Sequence, residues 1–231
     1  MNRIKIRKKS LNEYKIVIFD LDGTLYYQKP FRIRMLRWLI GYVITHPSAV
    51  KDMLIIEKYR SVREEWEKYD TDLEGDCAQS LDDRQYAYVA KKMNVKPDRV
   101  KRAVTFFMLE APLKLLRPYR DDVLAQMIEE LHDNQKTVVI YSDYPVENKL
   151  KALEIQADAC YTSADDRIGS MKPDPIGIRV ILKDMDCVNT DAIMIGDRYE
   201  KDGLAAIQND VDYVIVSKNK KEREQLKDLL D

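Results

Sequence analysis

Tyr14-Lys15-Ile16-Val17-Ile18-Phe19-Asp20-Leu21-Asp22-Gly23-Thr24 is the stretch that decides how this chain folds. Its first six residues form a short, mostly apolar and β-branched run, which is typical of a buried strand. The run ends at Asp20, and Asp22 follows two residues later, so both carboxylates can point into one crevice. Gly23 then allows a backbone turn that a side chain would obstruct. Because D-x-D-G-T is expected by chance in only about one in a thousand chains of this length, we interpret it as a functional motif rather than a solvated turn.

Four later apolar runs predict further strands. They lie at 137–141, 159–162, 192–195 and 213–216. Helical patterns alternate with them at about 121–132, 146–155, 175–185, 202–207 and 220–229. This alternation predicts an α/β fold, a parallel sheet with helices on both faces. In such sheets ligands bind beyond the carboxyl ends of the strands, so the chemistry is expected there.

The segment from 31 to 115 interrupts the alternation, since it shows no convincing strand and predicts about four helices. One of these helices carries a one-sided apolar stripe of Ile55, Tyr59, Val62, Trp66 and Tyr69. The stripe predicts packing within a helical bundle. Ser80 and Asp83 predict the N-terminus of another helix. We therefore expect an α/β core of residues 1–30 and 116–231, with an all-helical module of residues 31–115 inserted after the first strand.

The overall charge excludes an obvious nucleic-acid binder, because 39 basic residues nearly balance 40 acidic ones and the net charge is -1. The N-terminus is locally basic, and we expect it to be a solvated tail. Its basic residues are Arg3, Lys5, Arg7, Lys8 and Lys9.

The cysteines and the apolar segments point to a cytoplasmic protein without a transmembrane segment. Cys77, Cys160 and Cys187 are odd in number and far apart, which predicts neither a disulfide framework nor a zinc site. The residues from 1 to 10 contain no apolar run typical of a signal peptide. The most apolar stretch, 35–44, contains a charge and is too short to span a bilayer.

Candidate functional residues follow three of the later strands. Ser142 ends the second strand and can donate to a phosphate oxygen, although serine is common at such a position. Pro173 keeps Lys172 out of a helix, so the ammonium can reach inward. Asp197 follows Gly196 at the fourth strand, and Asp202 lies five residues further on at a predicted helix start. Carboxylates in this arrangement suit Mg²⁺, a hard cation.

The order D-x-D, Ser, Lys, G-D-x-x-x-x-D resembles the haloacid dehalogenase (HAD) superfamily of hydrolases. The resemblance covers residues 14–22 and 117–216, and all four family motifs are present. It implies a Rossmann-like core with a helical cap domain inserted between the first and second motifs.

The resemblance implies a role for each motif residue. Asp20 is the nucleophile that takes the phosphoryl group as an aspartyl phosphate. Asp22 protonates the leaving alcohol and then removes a proton from the attacking water. Ser142 and Lys172 hold the phosphate oxygens. These roles fit the physics, since cationic groups offset the repulsion between a carboxylate and an anionic phosphate.

The resemblance also implies a Mg²⁺ site. Asp197 and Asp20 bind the ion with the backbone carbonyl of Asp22, and Asp202 positions the ion or Lys172. Departures from the usual pattern concern neighbouring positions and bear on substrate preference. They are Asp143, Arg198, Lys201 and the pair Asn209-Asp210.

The sequence therefore predicts a Mg²⁺-dependent phosphohydrolase that acts on a small phosphorylated metabolite. Related dehalogenases lack Asp22, because a halide needs no proton, and phosphonate-cleaving relatives carry alanine there. A phosphomutase on the same core is an alternative, and the oligomeric state stays open.

A second alternative is a membrane-associated or non-catalytic binding protein. Arg32, Arg34 and Arg37 stand among apolar residues and could form an interfacial helix. Those apolar residues are Met35, Leu36, Trp38 and Leu39. We expect instead a cap helix whose apolar side is buried and whose arginines are solvated.

Overall fold

The computed structural model describes residues 3–8, 10–69 and 80–230, so Lys9 and Cys77 lie outside the described residues. The chain divides into two compact units. One, called here the α/β unit, comprises Met1–Pro30 and Leu116–Asp231; the other, the helical unit, is Phe31–Leu115. The role of residues 31–115 as a cap stays a prediction.

The α/β unit is built on a six-stranded sheet. Its strands are β1 (Arg3–Lys5), β2 (Ile16–Phe19), β3 (Thr137–Ser142), β4 (Ala159–Thr162), β5 (Ala192–Gly196) and β6 (Asp212–Ile215). Their order is β1-β6-β5-β2-β3-β4, and β2 through β6 are mutually parallel. Strand β2 lies at the centre, where Phe19 is in register with Ile140 and Ile195. Flanking strands pair both edges of β2, and all four of its residues are buried, as expected where helices cover both faces of a parallel sheet. The predicted parallel α/β fold is confirmed.

The N-terminal residues form an edge strand, so the expectation of a solvated tail is wrong for them. Strand β1 pairs antiparallel with β6, and Lys5 is in register with Tyr213. Beyond the strand, the backbone N–H of Arg7 and the hydroxyl of Tyr14 each donate to Asp212 Oδ2 at 2.5 Å. Arg7 and Lys8 also form ion pairs, with Asp210 and Asp191 respectively.

The helices of the helical unit are α1 (Gln28–Thr45), α2 (Val50–Glu64), α3 (Leu81–Met93), α4 (Pro97–Val104) and α5 (Leu113–Leu116). Helix α1 begins three residues before the unit, and α5 ends one residue after it. A π-helical stretch, Thr105–Glu110, follows α4. The predicted stripe is buried along α2, but α2 ends at Glu64, so that Trp66 lies in a separate 3-10 turn. The Ser80 hydroxyl accepts from the Asp83 N–H at 3.2 Å, as the sequence predicts.

Helices α2 and α3 are joined by a buried arginine. Arg63 is 2% exposed and donates to Asp82 Oδ1 and to the Tyr59 hydroxyl, both at 2.8 Å. It also donates to Gln85 Oε1 on α3. The guanidinium thereby satisfies several polar groups that would be costly to bury unpaired.

Helix α1 differs from the expectation that its apolar side is buried. Phe31 is buried, but a row of aliphatic side chains spaced three or four residues apart is exposed. The row consists of Ile33, Leu36, Ile40 and Ile44, and is called here the α1 stripe. Helix α1 has apolar residues on two faces, the α1 stripe and the face that contains Phe31. The expectation was wrong because the sequence periodicity does not show which of these faces packs inward.

The α/β unit has the helices α6 (Asp122–Asp133), α7 (Glu147–Leu153), α8 (Ile176–Asp184), α9 (Leu204–Ile207) and α10 (Lys220–Glu224). A π-helical turn, Tyr199–Gly203, precedes α9. Gly177 brings α8 against β3, since a Cβ there would collide with the ring and hydroxyl of Tyr141. In the described residues, no helix combines the length and the apolar character that crossing a membrane requires.

The two connections to the helical unit lie side by side and are joined by Arg223 of α10. Tyr26 pairs antiparallel with Arg120, and the Asp121 N–H donates to the Leu25 carbonyl at 2.9 Å. Arg223 is 1% exposed, and its guanidinium lies 2.7 Å from Asp121 Oδ2. It also donates to the carbonyls of Thr24 and Gly23, each at 2.6 Å. The turn after β2 is thus held by a residue from the C-terminal end of the chain.

We expect Arg223→Met to destabilise the α/β unit strongly. The substitution leaves the Asp121 carboxylate buried without its cation, which costs about 3–5 kcal/mol. For a chain of this size the midpoint of thermal unfolding should fall by roughly 10 °C. Arg223→Lys keeps the charge but not the fork of donors, and should give an intermediate midpoint. Arg34→Met, at an exposed arginine, is the matched control and should leave the midpoint unchanged. An unfolding midpoint for Arg223→Met equal to that of the control would contradict this account.

Candidate active site

The carboxyl ends of the central strands bring the predicted residues to one edge of the sheet. Asp20 follows β2, Ser142 ends β3 and Asp197 follows β5, and these three strands are neighbours. The Asp20 N–H donates to the Ile195 carbonyl at 2.8 Å, which fixes the start of the first motif against β5. Thr24 Oγ1 donates to Asp20 Oδ2 at 2.9 Å, so one oxygen of the carboxylate is oriented by its own turn.

A buried lysine connects the first, third and fourth motifs. Lys172 Nζ donates to Asp20 Oδ1 and to Asp202 Oδ1, both at 2.6 Å, and Lys172 is 2% exposed. Burial alone would lower the pKa of Lys172, but the charges of Asp20 and Asp202 outweigh it and raise that pKa well above its usual value. Lys172 is therefore a fixed cation beside the Asp20 carboxylate.

Two glycines make room for the carboxylates of the fourth motif. Gly23 has a φ of 101°, and a Cβ at this position would collide with the Asp197 carboxylate. A Cβ at Gly196 would collide with the Asp202 carboxylate in the same way. Asp202 comes from the π-helical turn, and its Oδ2 accepts from the Arg198 N–H at 3.1 Å. The glycines thus allow the backbone and the acids to approach closely.

Three acids form a cluster that fits a divalent cation. Carboxylate oxygens of Asp20, Asp197 and Asp202 lie within 4.8 Å of one another. Burial and the nearby charge of Asp202 raise the pKa of Asp197 to about 6. Burial and the charges of Asp202 and Asp197 also raise the pKa of Asp20, despite Lys172. A hard cation such as Mg²⁺ favours oxygen ligands of this kind and would offset the repulsion among them.

The Asp22 carboxylate lies outside this cluster and is held by residues that the sequence analysis missed. Lys149 Nζ from α7 donates to Asp22 Oδ1 at 2.6 Å and to Oδ2 at 2.7 Å. The Tyr26 hydroxyl donates to Oδ1 at 2.6 Å, and Ser142 Oγ lies 3.5 Å from Oδ2. Burial would raise the pKa of Asp22, but Lys149 and Tyr26 lower it below its usual value. Nothing in the sequence singles out Lys149 among the basic residues of its helical pattern.

Asp143 acts within the α/β unit as a brace for the loop that carries Lys172. Its Oδ1 accepts from Ser163 Oγ at 2.6 Å and from the Lys172 backbone N–H at 3.0 Å. Ser163 follows β4, so one carboxylate oxygen joins the ends of β3 and β4 to the third motif. The bearing of Asp143 on substrate preference stays a prediction. In the structure its carboxylate makes contacts that position Lys172.

We expect Asp143→Ala to lower kcat/KM by roughly ten- to hundredfold, because a buried N–H without an acceptor costs about 1–3 kcal/mol and lets Lys172 move. Asp143→Asn keeps an acceptor oxygen in the same place and is the matched control. It should retain most of the activity, as measured in steady-state kinetics on whichever substrate the wild type hydrolyses. If Asn and Ala were equally damaging, the charge of Asp143 would matter rather than its acceptor oxygen.

Comparison with known proteins agrees with this geometry. Residues 14–210 match the family described as haloacid dehalogenase-like hydrolase. A search of the curated proteins found no match. Among solved structures, a 2-haloacid dehalogenase from Pseudomonas syringae pv. Tomato DC3000 is similar, with 16% identity over 87% of this chain and 85% of that one and a TM-score of 0.59. The magnesium-bound HAD-hydrolase YfnB from Bacillus subtilis has 14% identity over 87% of each chain and a TM-score of 0.57.

At such low identities the structural likeness shows the fold and leaves the reaction open. The family match covers most of the chain, and it includes Asp20, Asp22, Lys172, Asp197 and Asp202. The chain belongs to the haloacid dehalogenase-like hydrolases.

Proposed function

We propose that this hydrolase is a Mg²⁺-dependent phosphatase that cleaves small phosphomonoesters through an aspartyl phosphate on Asp20. The observation that carries the proposal is the Asp22 carboxylate, held by Lys149 and Tyr26 two residues beyond the nucleophile. An alcohol leaves a phosphate ester readily only if it receives a proton, so a second acid beside the nucleophile has a function there.

The dehalogenase reaction accounts less well for these residues. A halide leaves as a stable anion, so its departure requires no proton from Asp22. Attack on a carbon of a haloacid also requires no cluster of three carboxylates suited to a cation. A phosphate dianion repels an attacking carboxylate, and this repulsion has to be neutralised. The acid cluster and Asp22 together therefore favour phosphate over halide.

In the first step Asp20 attacks phosphorus. Lys172 donates to Oδ1 of this carboxylate and Thr24 donates to Oδ2, so the side chain cannot rotate freely. A carboxylate oxygen keeps a further lone pair, and this lone pair attacks. Lys172 and Ser142 are the candidate donors to the phosphate oxygens. A bound Mg²⁺ would supply further neutralisation of the charge on the phosphoryl group. Asp22 donates its proton to the oxygen of the leaving alcohol.

In the second step water attacks the aspartyl phosphate, and Asp22 removes its proton. Because Lys149 and Tyr26 lower the pKa of Asp22, its carboxylate is ionised in the free enzyme and can accept this proton. Its earlier role as an acid requires protonation once the phosphate dianion is near, because a neighbouring negative charge raises the pKa of a carboxyl group. Lys149 keeps the carboxylate in one orientation through both steps, as a positioning residue.

We expect Asp20→Asn to abolish hydrolysis while leaving the fold intact, since the substitution removes the attacking oxygen's charge and keeps the shape. Phosphate release should fall by more than about a hundredfold. Wild-type activity should also disappear in excess EDTA and return with Mg²⁺. Asp228→Asn, at an exposed acid, is the control and should be fully active. Retention of a tenth of the activity by a folded Asp20→Asn protein would rule out the proposed nucleophile.

A product other than free phosphate, such as an isomeric phosphate ester, would instead indicate a phosphomutase.

We expect Asp22→Asn to discriminate between leaving groups. Hydrolysis of an alkyl phosphate should fall by about 10²–10⁴-fold, because the alkoxide then leaves without a proton. Hydrolysis of p-nitrophenyl phosphate should fall much less, since nitrophenolate is a stable anion. The ratio of the two kcat/KM values, compared between variant and wild type, measures the effect. Equal losses on both substrates would show that Asp22 has another role.

A further inference from the structure

We propose that helix α1 docks on an anionic membrane surface, with the α1 stripe in the interface. The inference concerns where the enzyme works and goes beyond the proposed reaction. It rests on the exposure of the stripe, on the packing of the opposite face of the helix and on the charge of α1.

The exposed apolar side chains of the chain are concentrated at α1 and the start of α2. Ile33 is 49% exposed, Leu36 58%, Ile40 55% and Ile44 73%. Val50 and Leu54, at the start of α2, are exposed as well, at 47% and 52%. In the described part of the chain, the one other large hydrophobic side chain exposed to this degree is Val188. Such a concentration differs from the scattered apolar residues of an ordinary surface.

The α1 stripe is exposed because α1 packs through its other face. Trp38 and Tyr42 lie on that face, together with the buried Phe31. The ring centroids of Tyr42 lie 5.5 Å from Phe106 and 5.6 Å from Phe107, and Trp38 lies 6.3 Å from Phe106. The inner face of α1 is thus already occupied by aromatic partners within the helical unit. The stripe itself stays exposed in the described residues.

The charge of α1 identifies the partner. The helix contains Lys29, Arg32, Arg34 and Arg37, all exposed, and none of its 18 residues is acidic. A cationic helix with an apolar stripe is the composition that binds to anionic lipid headgroups while its aliphatic side chains enter the acyl boundary. Long arginine side chains can cover apolar surface with their stems and keep the guanidinium at the headgroups.

A second copy of the chain fits this face less well. Pairing two α1 helices through their stripes would bring eight basic side chains together without an acid on either helix. The helix is also long enough to lie flat on a bilayer, at roughly 27 Å for its length. An anionic bilayer supplies both the apolar layer and the counter-charge that the face lacks.

The test is co-sedimentation of the full-length chain with vesicles of phosphatidylcholine alone and with 30% phosphatidylglycerol added. We expect binding to the anionic vesicles that is at least fivefold stronger than to the neutral ones and that weakens as salt is raised. The double variant Leu36→Glu/Ile40→Glu should lose this binding. Val188→Glu, at an exposed apolar residue of the α/β unit, is the matched control and should bind as the wild type does.

A second set of variants separates charge from apolar contact. Arg32→Gln/Arg34→Gln/Arg37→Gln should remove the preference for anionic vesicles, and circular dichroism should show that each variant is folded. Absence of wild-type binding at 100 mM salt, or undiminished binding by Leu36→Glu/Ile40→Glu, would overturn the proposal. A dimer in light scattering that this double variant dissociates would assign the face to a second copy and overturn it equally. The Asp20→Asn variant should bind the anionic vesicles as the wild type does. Membrane binding is thereby measured independently of the phosphatase activity.

Discussion

The Lys172 ammonium lies 2.6 Å from a carboxylate oxygen of Asp20 and equally far from one of Asp202, and the site depends on this buried contact. A buried lysine is tolerated only with counter-charges close to it. The two acids supply them, and each is placed by a constraint of its own: Asp20 by the end of β2, and Asp202 by a π-helical turn that Gly196 leaves room for. Asp143 holds the Lys172 backbone from the other side. The lysine therefore fixes the relative positions of segments that are far apart in the chain.

The parts of this structure that the sequence predicted are those with local causes. The apolar run of β2, the turn at Gly23 and the capping of α3 by Ser80 each follow from residues a few positions apart, and the structure shows all three. Strands β2, β3, β5 and β6 were predictable because buried strands carry an apolar run of their own. Local signals also placed the six motif residues, whose catalytic roles stay predictions.

The contacts that could not be predicted join distant residues. Arg223 reaches the Gly23 carbonyl across 200 positions, and Lys149 reaches Asp22 across 127. A basic residue in a helical pattern gives no sign of such a partner, since most are solvated. The N-terminal strand was missed for the same reason, because its basic residues resemble a tail until β6 is placed beside them. For α1, periodicity identified a helix, but two apolar faces left its inward side undetermined.

The charges at the site are the reason why a divalent cation is part of the proposed reaction. Asp20, Asp22, Asp197 and Asp202 carry four negative charges when ionised, whereas Lys149 and Lys172 carry two positive ones. These six side chains therefore leave an excess of two negative charges, and burial together with the neighbouring carboxylates raises the pKa values of Asp20 and Asp197. A divalent cation bound by the acid cluster would cancel that excess. In the reaction proposed above, Lys172 would then stand beside the nucleophile Asp20, while Asp22 is held apart from the cluster by Lys149.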